Sequence, residues 1–386
     1  MTFIRTFLFT LLVVLLVVLT FGAGYLFHQQ QTNEASFALL DEARTILINH
    51  GLKTPPVDPN LEYGMIRGML QAYDDPYTIF LEPPQNELQN NRLEGKFGGI
   101  GAQLEQDDQG FWTLYPFPNS PAQQAGLLDG DRILYVDDLE ITLQTTADEL
   151  QAALRGPVGQ EVRLKVGRLP DYSPRTFNII RQEIALPSVT WRLAPDEPRL
   201  GVLKVNVVAA STTDEIQRAV EDLQQRGATA FVLDLRDNPG GLLDAGVDIA
   251  RLFLKEGSVM QQQYRGQEVK TFEVEKPGPL ADLPLAVLIN HGSASAAEIA
   301  AGALQAHQRA TLIGEPSYGK DSIQLVFTLQ DGSSLHVTSA KWWIPGLQKP
   351  VGEQGLQPDI LIDPAGSAGD SDPYLQAAIR RLFGAS

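Results

Sequence analysis

"ATAFVLDLRDNPGGLLDAGVDIARLFL", residues 228–254, holds the clue to the architecture. Its first part, "ATAFVLDLR", is apolar without alternation, as expected of a strand covered on both faces. Asn238-Pro239-Gly240-Gly241 breaks it, and "GLLDAGVDIARLFL" resumes with helical periodicity. A strand, a tight glycine turn and a helix are the repeating part of a parallel α/β sheet.

The neighbours on both sides repeat the pattern. "RLGVLKVNVV" reads as a strand, and "TTDEIQRAVEDLQQRG" as a helix capped by Thr212 or Thr213 and stopped at Gly227. Downstream, "LPLAVLIN", "AAEIAAGALQAH" and "RATLIG" give strand, helix and strand. "SIQLVFTLQDGSSLHVTSAKWW" is a hairpin with Asp331-Gly332 in its turn. An α/β core is therefore expected over 171–365, with a C-terminal helix in 366–386.

Before this core the character changes twice. Residues 95–170 read as a compact β-rich module of short strands with helices at "SPAQQAGL" and "ADELQAALRG". Residues 29–94 carry two helical patterns broken by "LKTPPVDPN", a helical arm suited to dimerisation or capping. Residues 1–28 are an anchor or signal sequence. The run at 7–27, "FLFTLLVVLLVVLTFGAGYLF", is uncharged and long enough to cross a bilayer as one transmembrane helix. Arg5 precedes it and no Lys or Arg follows until Arg44, which puts the body on the extracytoplasmic side. A cleaved signal peptide is the alternative.

Composition narrows the chemistry. Of 386 residues, 43% are hydrophobic and 20% charged, as in a globular protein. A net charge of −17 argues against nucleic acid as a partner. Cysteine is absent, so a thiol nucleophile, disulfides and thiolate metal sites are excluded. Five histidines, with no His-x-x-x-His pair, argue against a histidine metal site.

Three loops leaving strand ends carry unusual features. Gly240 and Gly241 can present bare backbone N–H groups to an anion, or form a plain strand-to-helix turn. In "LINHGSASAAEIAAG", Ser295 opens a helix with Glu298 at capping-box spacing. Ser295 is thus either a cap or a reachable nucleophile among small residues, where the helix dipole favours negative charge. "LIGEPSYGKDSIQLVF" contains most of a phosphate-binding P-loop, but Asp321 stands where Mg²⁺ would need Ser or Thr. Lys320 can instead be a general base for Ser295 if burial keeps its amine neutral. Gln324 shares a strand face with Lys320, where its uncharged amide can orient the amine without favouring ammonium; Asp321 and Ile323 should face the other way.

Taken together, "GSASAAEI", "GEPSYGKDSIQ" and "LDLRDNPGGLLDAGVDIA" resemble the signature blocks of the carboxy-terminal processing (tail-specific) serine proteases. The resemblance extends to "GMIRGMLQAYDDPYT" and "GEQGLQPDI". It implies a serine endopeptidase with a Ser-Lys dyad in a crotonase/ClpP-like α/β core and an embedded PDZ domain, needing no metal or cofactor. By position, it assigns Ser295 rather than Ser293 as nucleophile, Lys320 as base and Gln324 as its support. Ala296 and Gly241, with Gly240 beside them, fall at the oxyanion hole. Asp321 departs from the glycine common in the family. Gly98, Gly99, Ile100, Gly101 and Ala102 occupy the carboxylate-binding loop of the PDZ domain, where a substrate's C-terminal tail would add as a strand. The implied partners are protein or peptide substrates, the membrane, and optionally a second copy or an adaptor. A catalytically inactive exported PDZ scaffold and a phosphate-binding protein are the competing readings.

Overall fold

The computed structural model describes residues 37–53, 59–363 and 372–384. The apolar run at 7–27 lies outside them; among the described residues no helix is long and apolar enough to cross a membrane. The chain forms two compact units, residues 1–72 and 73–386. The first carries the helix Ala38–His50, none of whose residues is buried, and most of the helix Asn60–Tyr73.

The larger unit is built on a six-stranded sheet. Its order is Val189–Ala194, Glu197–Val205, Ala230–Asp234, Leu285–Ile289, Thr311–Gly314 and Ile360–Leu361. From Glu197–Val205 onward the strands run parallel. Ala230–Asp234 and Leu285–Ile289 are buried at every residue, as their unalternating sequences require. Helices Thr212–Gln225, Leu243–Phe253 and Ala296–Ala306 pack one face through Ile216, Leu223, Val247, Phe253 and Leu304. The helix Pro373–Phe383 covers the other through Tyr374, Leu375 and Ala378. With both faces dry, the loops at the carboxyl ends of the strands are the free surface on which a site can form.

A second, five-stranded sheet stands beside it. The long strand Ser334–Trp343 pairs on one side with Ile79–Leu81 and Ser258–Tyr264, and on the other with Ser322–Thr328. Residues 79–94, read with the helical arm, thus belong structurally to the larger unit: Ile79–Leu81 is a strand of this sheet.

The β-rich module is a six-stranded antiparallel sheet with Ala102–Gln106 at one edge and Ser173–Ile180 at the other. Ser173–Ile180 pairs along its whole length with Glu161–Arg168, so the sheet continues past residue 170. "GKFGGIGAQLEQ" forms two strands, Lys96–Gly99 and Ala102–Gln106. Lys96–Gly99 leaves to pair with Gln182–Ala185, and Gly101, at φ 71°, turns the chain into Ala102–Gln106. A Cβ on Gly101 would stand 2.7 Å from Ser120 Cβ, so only glycine fits the turn.

Candidate active site

Three loops leave the carboxyl ends of adjacent parallel strands and meet at one cavity of about 800 Å³. Gly240, Gly241, Ser295, Lys320, Gln324 and His336 are among its lining.

The loop after Ala230–Asp234 is shaped by Asn238, which is fully buried. Its amide donates to Val205 O at 2.8 Å, and its carbonyl oxygen accepts from Gly240 N–H at 2.8 Å. Asn238 O also accepts from Ala294 N–H, tying this loop to the serine loop. Gly240, at φ 94°, lies so close that a Cβ there would meet Ala294 O at 2.7 Å and Ser295 Cβ at 2.8 Å. Its N–H is already used, so Gly240 contributes space, not a donor. The N–H groups of Gly241 and Ala296 make no hydrogen bond among the described residues. Both could donate to an anion held in the cavity.

Ser295 occupies a conformation that L-residues rarely adopt, φ 55° and ψ −119°. Such a backbone costs on the order of 1–3 kcal/mol and persists where its surroundings impose it. Here Glu298 imposes it: its Oε2 accepts the Ser295 N–H at 2.7 Å. The Ser295 hydroxyl lies near the Glu298 N–H without forming a cap hydrogen bond. The capping box is thus held mainly from the glutamate side, with the hydroxyl in looser reach of the Glu298 N–H. Ser293 is the opposite case. It is buried, donates to Leu235 O at 2.8 Å and accepts from Asn290 N–H at 3.0 Å, a structural role.

Glu298 also holds the lysine loop. Oε1 accepts from Ser317 Oγ at 2.5 Å and Gly319 N–H at 2.7 Å, and Oε2 from Lys320 N–H at 3.1 Å. These bonds replace strand pairing, so the strand begins only at Ser322 and Lys320 lies in the loop before it. Burial pushes the Lys320 amine below its ordinary pKa, opposed in part by the charges of Glu298 and Asp75. Among the described residues Lys320 forms no ion pair, and its Nζ stands 5.3 Å from the centre of the Tyr77 ring.

Gln324 lines the same cavity. Its amide nitrogen donates to Ser322 Oγ at 3.1 Å and more weakly to Thr338 Oγ1 at 3.5 Å. Asp321 is turned toward Lys341, 3.4 Å away. Ile323, expected on the far side, also reaches the cavity wall, because a β-bulge between Ile323 and Gln324 interrupts the alternation.

Sequence reasoning passed over three residues here. Asn238 sits inside a stretch that reads as a turn, and Tyr77 lies far away in the chain. His336 lines the cavity from the strand opposite; burial, and then Lys320, lower its pKa. His291 is exposed and does not line the cavity. Among the described residues no cluster of His, Cys, Asp or Glu could hold a metal ion.

A second groove, about 570 Å³, runs between the edge strand Ala102–Gln106 and the helix Ala147–Leu154. Gly99, Ile100, Gly101 and Ala102 line it; Gly98, paired with Glu183 in the neighbouring ribbon, does not. The N–H groups of Ile100 and Gly101 make no hydrogen bond among the described residues. Gln151, Arg155 and Leu186 line both this groove and the Ser295 cavity.

Known proteins resemble this chain along most of its length. Residues 199–362 match the model of peptidase family S41, and residues 116–168 that of the PDZ domain. A carboxyl-terminal-processing protease of Synechocystis sp. is 35% identical over 342 residues, 86% of this chain and 79% of that protein. The carboxy-terminal processing protease CtpA of Bacillus subtilis is 31% identical over 365 residues, 91% of this chain and 77% of that protein. The solved structure of a photosystem II D1 C-terminal processing protease shares 30% identity, covering 86% of this chain and 89% of that one, with a TM-score of 0.46. With a sheet-end serine cavity, a PDZ domain and relatives along most of its length, the chain belongs to the carboxyl-terminal-processing serine proteases of peptidase family S41.

Proposed function

We propose that the chain is an endopeptidase in which Ser295 is the nucleophile and Lys320 the general base, on a core of crotonase/ClpP-like type. One observation carries this reading. A lysine whose amine is held below its ordinary pKa by burial shares a cavity with a serine forced into a left-handed turn. Ser295 Oγ attacks the scissile carbonyl carbon while its proton passes to Lys320 Nζ. The oxyanion is received by Gly241 and Ala296 N–H. As the tetrahedral species collapses, the C–N bond breaks and the departing amine takes the proton from Lys320. Water, deprotonated by the same amine, then hydrolyses the ester and restores Ser295. Gln324 helps orient the lysine chain.

The PDZ groove is proposed to take the substrate's C-terminal tail, its carboxylate against the Ile100 and Gly101 N–H groups. Residues 7–27 are proposed to anchor the protein in a bacterial-type inner membrane with the catalytic unit outside the cytoplasm, where exported proteins are the substrates. Support comes from the length of the apolar run and the placement of Arg5.

The test is cleavage of an unfolded protein with an apolar C-terminus. Wild type cleaves it, and folded Ser295→Ala and Lys320→Ala do not. Binding of the tail with no turnover by wild type would select the inactive scaffold instead.

A further inference from the structure

The Lys320 amine sits at the end of a long, flexible stem, and among the described residues its Nζ donates no hydrogen bond and forms no ion pair. The side chain that meets it is Tyr77, whose ring centre lies 5.3 Å from Nζ, within reach of a cation–π contact. Tyr77 is held in that place from several sides. Its N–H donates to Asp75 Oδ1 at 3.2 Å, and its hydroxyl is hydrogen-bonded to Tyr318 on the lysine loop. Thr78, which is buried, donates to Asp75 Oδ2 at 2.5 Å and accepts the Thr338 N–H at 3.1 Å. These bonds pin the segment from Asp75 to Thr78 to the strand Ser334–Trp343, as a strap behind the lysine.

A ring suits a base that must begin neutral and end charged. Burial disfavours the ammonium, and a carboxylate touching Nζ would undo this by raising the amine by roughly 1–3 pH units. An aromatic face attracts the ammonium more weakly and carries no charge, yet its pull strengthens where water is excluded. That pull is slight on the neutral amine and grows as the serine proton arrives, so it acts where the barrier lies. The Tyr318 hydrogen bond, with burial, pushes the Tyr77 phenol above its ordinary value, so the ring stays uncharged. The other charged and titratable groups around the amine are Glu298 on its helix, Asp75 on the strap, Tyr318 on the lysine loop and His336 on the strand opposite.

We propose that Tyr77 is the positioning residue of the base: its ring face directs the Lys320 amine and stabilises the ammonium that forms when Ser295 gives up its proton. The inference rests on the hydrolase reading above and gives the lysine a support that lies outside both catalytic loops.

The test is the pH dependence of cleavage of an unfolded protein by Tyr77→Leu and Tyr77→Phe. Leucine keeps apolar cover over the amine and removes the π face. Losing that attraction lowers the pKa of the lysine, so the rising limb of kcat/KM should move to lower pH by about 0.5–1 unit. On the plateau, kcat should fall about tenfold or more, with KM changed less than about threefold and thermal unfolding near wild type. Phenylalanine keeps the face, so its limb should stay within about 0.2 unit of wild type and its kcat within about threefold. A limb that is unmoved in Tyr77→Leu, or moved to higher pH, overturns the role of Tyr77 and leaves the hydrolase standing. No turnover by wild type overturns both. A second measurement needs no variant of Tyr77. In protein carrying ¹³Cε-labelled lysine, the ring should shield the Lys320 Hε protons and give an upfield resonance that disappears in Lys320→Ala. A spectrum without that shielded resonance overturns the contact itself.

Discussion

Ser295 and Lys320 donate their backbone N–H groups to the same carboxylate oxygen, Glu298 Oε2, at 2.7 and 3.1 Å. One buried side chain thus joins the loop of the proposed nucleophile to the loop of the proposed base. The relationship makes relative placement of the two loops a property of Glu298, and gives a local reason for the backbone of Ser295.

Glu298→Gln should therefore disturb both loops together. Its four donors leave no place for an amide NH₂, and each buried N–H left unpaired costs about 1–3 kcal/mol. We expect a lower urea midpoint and a kcat reduced at least tenfold, with KM for a peptide changed less than threefold. A variant with wild-type kcat would show that the clamp does not position the dyad.

The pH profile should respond to Asp75. Burial would raise its carboxyl, but hydrogen bonds from Thr338, Thr78 and Tyr77 outweigh that and hold it below its ordinary value. Its negative charge favours the Lys320 ammonium and so works against burial. The base acts as the neutral amine, so activity rises as pH passes the Lys320 pKa, which lies below 10.5. Asp75→Asn removes the opposing charge, lowers that pKa further and should move the rising limb of kcat/KM to lower pH. Movement to higher pH would contradict the assignment.

Gly240→Ala tests the approach of the two loops. The added methyl would press on Ala294 O and Ser295 Cβ at a backbone of φ 94°. Because it forces apart groups proposed to form the oxyanion hole, kcat should fall about 10²–10³-fold, the usual cost of losing an oxyanion donor. Near-normal turnover of a folded Gly240→Ala protein would place the oxyanion elsewhere.

Much of this was legible in the sequence because its signals are local. Unalternating runs such as "AFVLD" and "LAVLI" mark the buried sheet, and the glycine turn and the small residues around Ser295 mark two of the loops. What stayed hidden depends on contacts between distant segments. Glu298 showed only its capping-box spacing, since Ser317, Gly319 and Lys320 reach it through the fold. His336 and Tyr77 enter the site from other elements of the larger unit, and the bulge at Ile323 leaves no compositional mark. Gly98 carries the same residue type as Gly101 but pairs with Glu183, which only the second ribbon reveals.

The most direct measurement is the rate at which a fluorophosphonate labels the protein across pH, with the adduct located by mass spectrometry. A serine made nucleophilic by a buried amine should carry the label at Ser295 alone, faster as pH rises, and Lys320→Ala should lose that labelling while remaining folded. Label on another residue, or equally fast labelling of Ser295 in Lys320→Ala, would contradict the proposed chemistry.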